Sequence, residues 1–217
     1  MKYYIYVSDT KVDMLSAQIP ESLWDVIAAD LELDLKVLKV RLRETAVPDN
    51  RFTRLAAVEN YIRRQFNVGT VDLPGPYFAG TMDMRWAQLG ENDEDGVVYF
   101  GGQTDKTLLG LGGSLRHLVG RQHTGNTVWG SALPYMLAVL TKELNLTVDG
   151  EHPEPGMTDN DVEQLALHGV ARATCELKGP TQRLEFLAKR LLPTHETDQD
   201  LKVQALLGTP VYVALAD

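Results

Sequence analysis

The stretch 97-VVYFGGQTDKTLLGLGGSLRHLVG-120 contains two runs of apolar and β-branched residues that are joined by a short polar turn. Such runs favour β-strands, and a short polar connection between them favours an antiparallel hairpin. The run before them, 77-YFAGTMDMRWAQL-89, is also strand-like, and the acidic turn 91-ENDEDG-96 follows it. The three runs together predict an antiparallel meander of neighbouring strands.

Glycines are concentrated in the second half of this meander, and they allow two interpretations. In a long strand over 107–119, they would lie beside Gly101 and Gly102 of the neighbouring strand and form a flat floor. In a loop that leads into a short helix, Ser114 would cap the helix, whose N-terminus favours anions. The strand is preferred, because the stretch matches neither a Walker A loop nor a complete G-x-G-x-x-G motif.

Outside the meander the chain mixes strand and helix patterns, which predicts an α+β fold with a mainly antiparallel sheet. Strands are predicted at both ends of the chain, and the segment 31–43 alternates like a strand with a bulge. Apolar stripes at helical spacing predict helices, with Asn50 as an N-cap and Pro180 in the first turn of the last helix. The predicted terminal strands are 2–7 and 211–216, and the predicted helices are 50–66, 130–144, 158–176 and 180–192.

The loop 147–157 is rich in proline, glycine and acidic residues and is the best candidate for a boundary within the chain. Residues 1–146 are predicted to be a sheet-rich part with one helix and a following helix. Residues 158–217 are predicted to be a helical part that returns to the sheet through the C-terminal strand. We expect these parts to form one compact domain.

Composition restricts the function classes that need to be considered. The 217 residues carry a formal net charge of -9, which disfavours nucleic acid and anionic membranes as partners. The apolar runs are too short to span a bilayer, and no signal-peptide pattern opens the chain, so a cytoplasmic protein is expected. The single cysteine, Cys175, is expected in the core. The sequence has no metal-ligand spacing, and we expect neither a metal nor a cofactor.

The glycine stretch supplies the first candidate site residues. Arg116 could bind an anionic ligand, and His117 could act as an acid or base near neutral pH, although a half-buried structural histidine is the simpler interpretation. Gly112, Gly113 and Ser114 would allow a ligand to approach the backbone closely.

Two further pairs are candidates for ligand binding. Asp9 and Lys11 lie just after the first predicted strand, where functional loops are common, although an ordinary turn with solvated charges is the alternative. Arg85 and Trp86 combine a cation with a large aromatic face, a pairing used to bind nucleotides or partner chains. Core packing of Trp86 is the alternative there.

Several phrases along the chain resemble an uncharacterised actinobacterial family of about this length. They are 2-KYYIYVSDTKVDML-15, 69-GTVDLPGPYFAGTMDMRW-86, 97-VVYFGG-102, 109-LGLGGSLRHLVG-120 and 206-LLGTPVYVALA-216. The resemblance implies an association with caspase-like peptidases and other genes of intracellular conflict systems. It implies no catalytic residue.

Three functions fit these observations. The preferred hypothesis is a regulatory or sensor component that binds a small anionic ligand or a protein partner, because no catalytic signature is complete. The second is an enzyme that acts on a phosphorylated or nucleotide-like small molecule through His117 and Arg116. The third is a scaffold whose edge strand pairs with another copy of the chain or with a neighbour.

Overall fold

The computed structural model describes residues 2–30, 50–89, 96–120, 159–192, 195–196 and 203–216. These residues form helices and mainly antiparallel strands, which confirms the predicted α+β fold. The helices are α1 (Asp9–Ser16), α2 (Glu21–Asp30), α3 (Arg51–Gln65) and α4 (Asp159–Glu176), and Leu115–His117 form a 3-10 turn. The strands are β1 (Tyr3–Val7), β2 (Val68–Gly69), β3 (Tyr77–Leu89), β4 (Val97–Gln103), β5 (Thr107–Ser114), β6 (Gln182–Arg190), β7 (His195–Glu196) and β8 (Gln204–Leu215).

The strand pairings close into a ring. β3 pairs with β4 and β4 with β5, both antiparallel, as the predicted meander requires. β5 pairs in parallel with the first half of β8, and β6 pairs antiparallel with both β8 and β3. The order β3–β4–β5–β8–β6 therefore returns to β3 and forms a barrel. β1 pairs antiparallel with the second half of β8, beside the 3-10 turn.

Alternation along the strands separates an interior from an outer surface. One continuous apolar cluster takes residues from each strand of the ring and from β1, and the large rings of Tyr6, Phe78, Phe100 and Phe186 are fully buried in it. Residues that alternate with them, such as Tyr77, Tyr99 and Leu187, pack instead on the side of the helices. The barrel interior is therefore a filled core that fixes the register of the strands.

Helices cover two parts of the outer surface. α1, α2 and α3 share one apolar cluster with Leu187, Val211 and Tyr212. α4 packs on the other part, in a cluster that includes Tyr99 and Leu207. The helices thus bury apolar side chains against the sheet and against one another, which is where most helix stability in globular proteins originates.

Most local predictions agree with the structure, and two are wrong. Asn50 caps α3, since its side chain accepts a hydrogen bond from the Phe52 N–H, and α4 ends as predicted. The segment predicted as a helix over 180–192 is instead strand β6. Cys175 is exposed rather than in the core. The predicted strand 31–43, the predicted helix 130–144 and the loop 147–157 lie outside the described residues.

The glycine stretch combines parts of both interpretations. Strand β5 ends at Ser114, earlier than the long strand that was preferred, and the 3-10 turn follows directly. The Ser114 hydroxyl accepts a hydrogen bond from the Arg116 N–H at 3.3 Å, which is the capping role of the alternative interpretation. Gly101 and Gly110 are register partners on neighbouring strands, as the strand interpretation expected.

Candidate functional site

Polar side chains converge where β1 leads into α1. The Ser8 N–H donates to the Val211 carbonyl at 2.9 Å, so β8 fixes the point at which the chain leaves the sheet. On the other side of β1, Tyr6 forms a bridge with Leu118, which follows the 3-10 turn directly. The first turn of α1 is therefore placed beside His117. We call Asp9, Thr10, Arg51 and His117 the Asp9–His117 cluster.

Asp9 lies between a histidine and an arginine in this cluster. Its Oδ1 is 2.7 Å from Arg51 Nε, and its Oδ2 is 3.6 Å from His117 Nδ1. Arg51 is held in turn by the Val7 carbonyl, which accepts from its Nη2 at 2.6 Å. Burial acts to raise the pKa of Asp9, but the contacts with His117 and Arg51 outweigh it and hold the pKa below its usual range. Asp9 is therefore an anion at neutral pH.

The His117 ring is fixed on several sides. It is only 7% exposed, and the Tyr6 ring packs edge-on against it with 5.9 Å between ring centroids. Nε2 is 3.4 Å from the hydroxyl of Thr10, which is exposed. Since an ionised Asp9 can only accept, it favours the tautomer with hydrogen on Nδ1, and Nε2 is then the acceptor for the Thr10 hydroxyl.

Lys11 follows two residues after Asp9 in the first turn of α1 and is surrounded by a different set of groups. Its Nζ donates to the Ser8 hydroxyl at 3.2 Å. Burial, together with the positive charge of Lys189 on β6, lowers the pKa of Lys11 to about 8. Lys189 is the register partner of Thr209 on β8, so their side chains share one face of the sheet. We call Ser8, Lys11, Lys189 and Thr209 the Lys11 cluster.

Lys2 provides a comparison, because carboxylates surround it and its pKa is shifted in the opposite direction. Lys2 donates to Glu185 at 2.7 Å and lies 3.7 Å from Glu59. Burial acts to lower the pKa of Lys2, but the carboxylates of Glu185 and Glu59 outweigh it, and the pKa is raised. Within the described ranges, neither Lys11 nor Lys189 forms an ion pair. The Lys11 cluster therefore concentrates positive charge without a carboxylate among those residues.

Buried hydroxyls complete the Lys11 cluster. Ser8 is 1% exposed and Thr209 is 3% exposed. Among the residues that the structure describes, the Thr209 hydroxyl has no hydrogen-bond partner. A buried hydroxyl without a partner costs free energy, and in native proteins such a group commonly marks the place of a water molecule, an ion or a ligand.

The structure brings three of the predicted site residues together and leaves the others elsewhere. Asp9 and His117 are in contact at the β1–α1 junction, and Lys11 lies in the same turn of α1 as Asp9. Arg116 is half-buried in the 3-10 turn beside His117. Arg85 and Trp86 point to opposite faces of β3, where Arg85 Nε donates to the Gly179 carbonyl and Trp86 Nε1 donates to Gln182.

Space above the predicted glycine floor is filled by the protein itself. Gly112 is buried in β5, and Gly113 faces the hydroxyl of Tyr6 inside the barrel. Gly110 lies under the Tyr99 ring, and Gly101 lies under the end of α4. At these positions glycine serves the packing of tyrosine rings and a helix against the sheet.

Sequence reasoning did not select Thr10, Arg51, Lys189 or Thr209 as site residues. Thr10 lies between two selected residues, and a hydroxyl in that position was the one signal available. Arg51 lies in the predicted helix 50–66 and Lys189 in the predicted helix 180–192, and neither pattern indicates a site. Their roles depend on contacts between segments that are distant in sequence, such as Arg51 with Asp9.

The described residues contain no group of three or more His, Cys, Asp or Glu side chains that could hold a metal ion. None of the helices within the same residues is long and apolar enough to cross a membrane.

Fold and site together define a class: an α+β protein with a closed, filled barrel and a polar site at the junction of its first strand and first helix. Comparison with protein families then gives a particular assignment. The chain belongs to DUF7019, a family of unknown function, whose model matches residues 2–217. Comparisons with curated proteins and with solved structures give no match.

Proposed function

We propose that this protein is a binding module that takes up a small anionic ligand at the Lys11 cluster. One observation carries the proposal: Lys11 is in contact with the buried Ser8 hydroxyl and close enough to Lys189 to be affected by its charge, and no carboxylate pairs with either lysine in the described part of the chain. Buried charges in proteins are normally paired, because an unpaired charge is costly in a medium of low polarity. An anion would supply the missing partner.

The start of α1 adds to this preference for negative charge. The first N–H groups of a helix lack intrahelical acceptors, and the helix dipole makes this end positive. Ser8 occupies the N-cap position, but its side chain accepts no hydrogen bond from the helix N–H groups. Its hydroxyl instead accepts from Lys11. The Ser8 side chain therefore leaves the N–H groups of the first turn uncapped, and these groups favour an anion.

A regulatory or sensor role is the form of binding that we propose. It agrees with the chain's resemblance to actinobacterial proteins associated with caspase-like conflict systems, in which ligand recognition would control a partner. The enzyme that uses His117 with Arg116 and the self-pairing scaffold stay as alternative predictions.

Native mass spectrometry of the purified protein tests the proposal. We expect inorganic phosphate or pyrophosphate, used as probes, to bind the wild-type chain and to bind Lys11→Met at least tenfold more weakly, since the substitution removes the central cation. Lys178→Met is the matched control, because Lys178 is exposed after α4 and makes the same change in net charge. Its affinity should equal that of the wild type.

The pH dependence of binding provides a second readout. Because only the protonated amine attracts an anion, probe binding should weaken as pH rises above about 8, where Lys11 loses its proton. Equal probe affinity in Lys11→Met and the wild type would contradict the proposal, as would an equal loss in Lys178→Met.

A further inference from the structure

We propose that Thr10 is a nucleophile, with His117 as its general base and Asp9 as the residue that positions the histidine, and that this group accepts an acyl chain from an ester or thioester. The proposal concerns the Asp9–His117 cluster. It does not depend on anion binding at the Lys11 cluster.

The order of contacts is the basis of the inference. Thr10 Oγ1 is 3.4 Å from His117 Nε2, and His117 Nδ1 is 3.6 Å from Asp9 Oδ2. A hydroxyl, an imidazole and a carboxylate in this sequence are the arrangement that activates a weak nucleophile, and its contacts are often longer before substrate binds.

The solvent exposure of Thr10 and His117 also fits a nucleophile and its base. The Thr10 side chain is exposed, so a substrate can reach it, whereas His117 is only 7% exposed. The Asp9 carboxylate is anchored by Arg51, whose Nε lies 2.7 Å from Oδ1. A nucleophile at the surface is thus backed by a base that is shielded from water and by a carboxylate that is held in place.

The start of α1 supplies donors for the negative charge that forms during acyl transfer. Thr10 and Lys11 are in the first helical turn, whose N–H groups have no acceptor within the helix. Donors of this kind stabilise the oxyanion of a tetrahedral intermediate.

The reaction balances with groups that are present in the chain and the substrate. Thr10 Oγ1 attacks the acyl carbon and its proton passes to His117 Nε2. The bond to the leaving oxygen or sulfur then breaks, and His117 returns the proton to the leaving group. The product is an ester on Thr10, which a water molecule can hydrolyse by the same route in reverse.

Acylation by p-nitrophenyl acetate, used as a probe, tests this inference. We expect the wild-type chain to release nitrophenolate and to gain one acetyl group, which peptide mass spectrometry locates on Thr10. Hydroxylamine should remove that acetyl group, because it cleaves esters. An acetyl amide on the neighbouring Lys11 would resist hydroxylamine, so the two modifications are distinguished.

Variants separate the three roles. Thr10→Val should form no ester while its thermal unfolding stays unchanged, and Thr10→Ser should still form it. His117→Gln should slow acylation by roughly 100-fold or more, the usual contribution of a general base. Asp9→Asn should slow it, because the carboxylate no longer orients the imidazole, whereas Asp9→Glu, which keeps a carboxylate, should recover part of the rate.

Thr81→Val is the matched control, since Thr81 is exposed on β3 outside both clusters, and its acylation rate should equal that of the wild type. Acetylation confined to lysine amides, or an unchanged rate in Thr10→Val, would overturn the inference. An unchanged rate in His117→Gln would exclude the histidine as the base.

Discussion

Replacement of Gly113 by alanine should lower the free energy of unfolding by about 3 kcal/mol, although it adds only one methyl group. A Cβ at this position would lie 2.3 Å from the hydroxyl oxygen of Tyr6 and 2.6 Å from its Cζ. Tyr6 is fully buried in the barrel interior, so its ring cannot move aside without displacing its neighbours. Glycine in a strand is ordinarily less stable than alanine by about 0.5–1 kcal/mol. Without the contact with Tyr6, the substitution would therefore be expected to raise the free energy of unfolding.

Gly80 on β3 provides the control for this prediction. The nearest atoms to a Cβ there are Phe186 Cζ and Val71 Cγ2, both at 3.4 Å, which is ordinary van der Waals contact. Gly80→Ala should therefore leave the free energy of unfolding within about 1 kcal/mol of the wild type. Chemical denaturation of both variants gives the comparison.

A double variant tests the assigned cause. Tyr6→Leu removes the atoms that a methyl group on residue 113 would meet, so Gly113→Ala should cost much less in that background than alone. Equal costs in the two backgrounds, or equal costs for Gly113→Ala and Gly80→Ala, would show that contact with Tyr6 is not the cause.

The glycine prediction also changes what a ligand experiment on this stretch can show. If the glycines formed a floor for a ligand, a larger side chain at position 113 would block binding and leave the fold intact. The structure instead predicts loss of stability first, because Tyr6 occupies the space that a ligand was expected to use. Tests of anion binding therefore belong at Lys11, in the first turn of α1.

Local signals determined which elements could be predicted from the sequence. The meander of β3, β4 and β5 has short polar turns and strand-like runs, and Asn50 caps α3 as its side chain predicts. β6 could not be recognised in this way, because leucine, glutamate, lysine and arginine are good helix formers. Its strand conformation comes from pairing with β3 on one side and β8 on the other. Those contacts span distant parts of the chain and override local propensity.

The site shows the same division between local and distant information. Asp9, Lys11 and His117 could each be selected by residue type and position. That His117 lies beside Asp9 follows from the bridge between Tyr6 and Leu118, which no local pattern indicates. Lys189 approaches Lys11 only because β6 is a strand that pairs with β8. The chemistry of single residues was therefore predictable, whereas their grouping required the closed ring of strands.

Lys11→Met should raise the free energy of unfolding at pH 7 by about 1–2 kcal/mol. The gain is not larger because the Lys11 side chain keeps some contact with water. The substitution removes a positive charge that is partly buried beside Lys189 and keeps an unbranched side chain that favours helices. Lys2→Met should have the opposite effect, because Lys2 pairs with Glu185 and Glu59. Chemical denaturation measures both, and Lys178→Met should change little.

The pH dependence of the free energy of unfolding tests separately whether the positive charge of Lys11 lowers stability. The pKa of Lys11 is about 8 in the folded chain, below its ordinary value of 10.5. Between these values the unfolded chain binds a proton that the folded chain lacks, so the wild-type free energy of unfolding should rise as pH increases from about 8. Lys11→Met should lack this rise, and its advantage should shrink by about pH 9.5. Above that, buried Tyr6, Tyr99 and Tyr212 have raised pKa values and reduce stability in both proteins alike.

A destabilised Lys11→Met would show that the amine has a stabilising partner in the folded chain, and the case for an anion at the Lys11 cluster would then fail. A more stable variant that has also lost phosphate binding would lead to a different conclusion. Lys11 would then lower the stability of the fold and improve binding. Proteins accept such a loss of stability mainly at positions where function requires it. Stability and affinity measured on the same variant therefore decide between a structural lysine and a ligand-binding one.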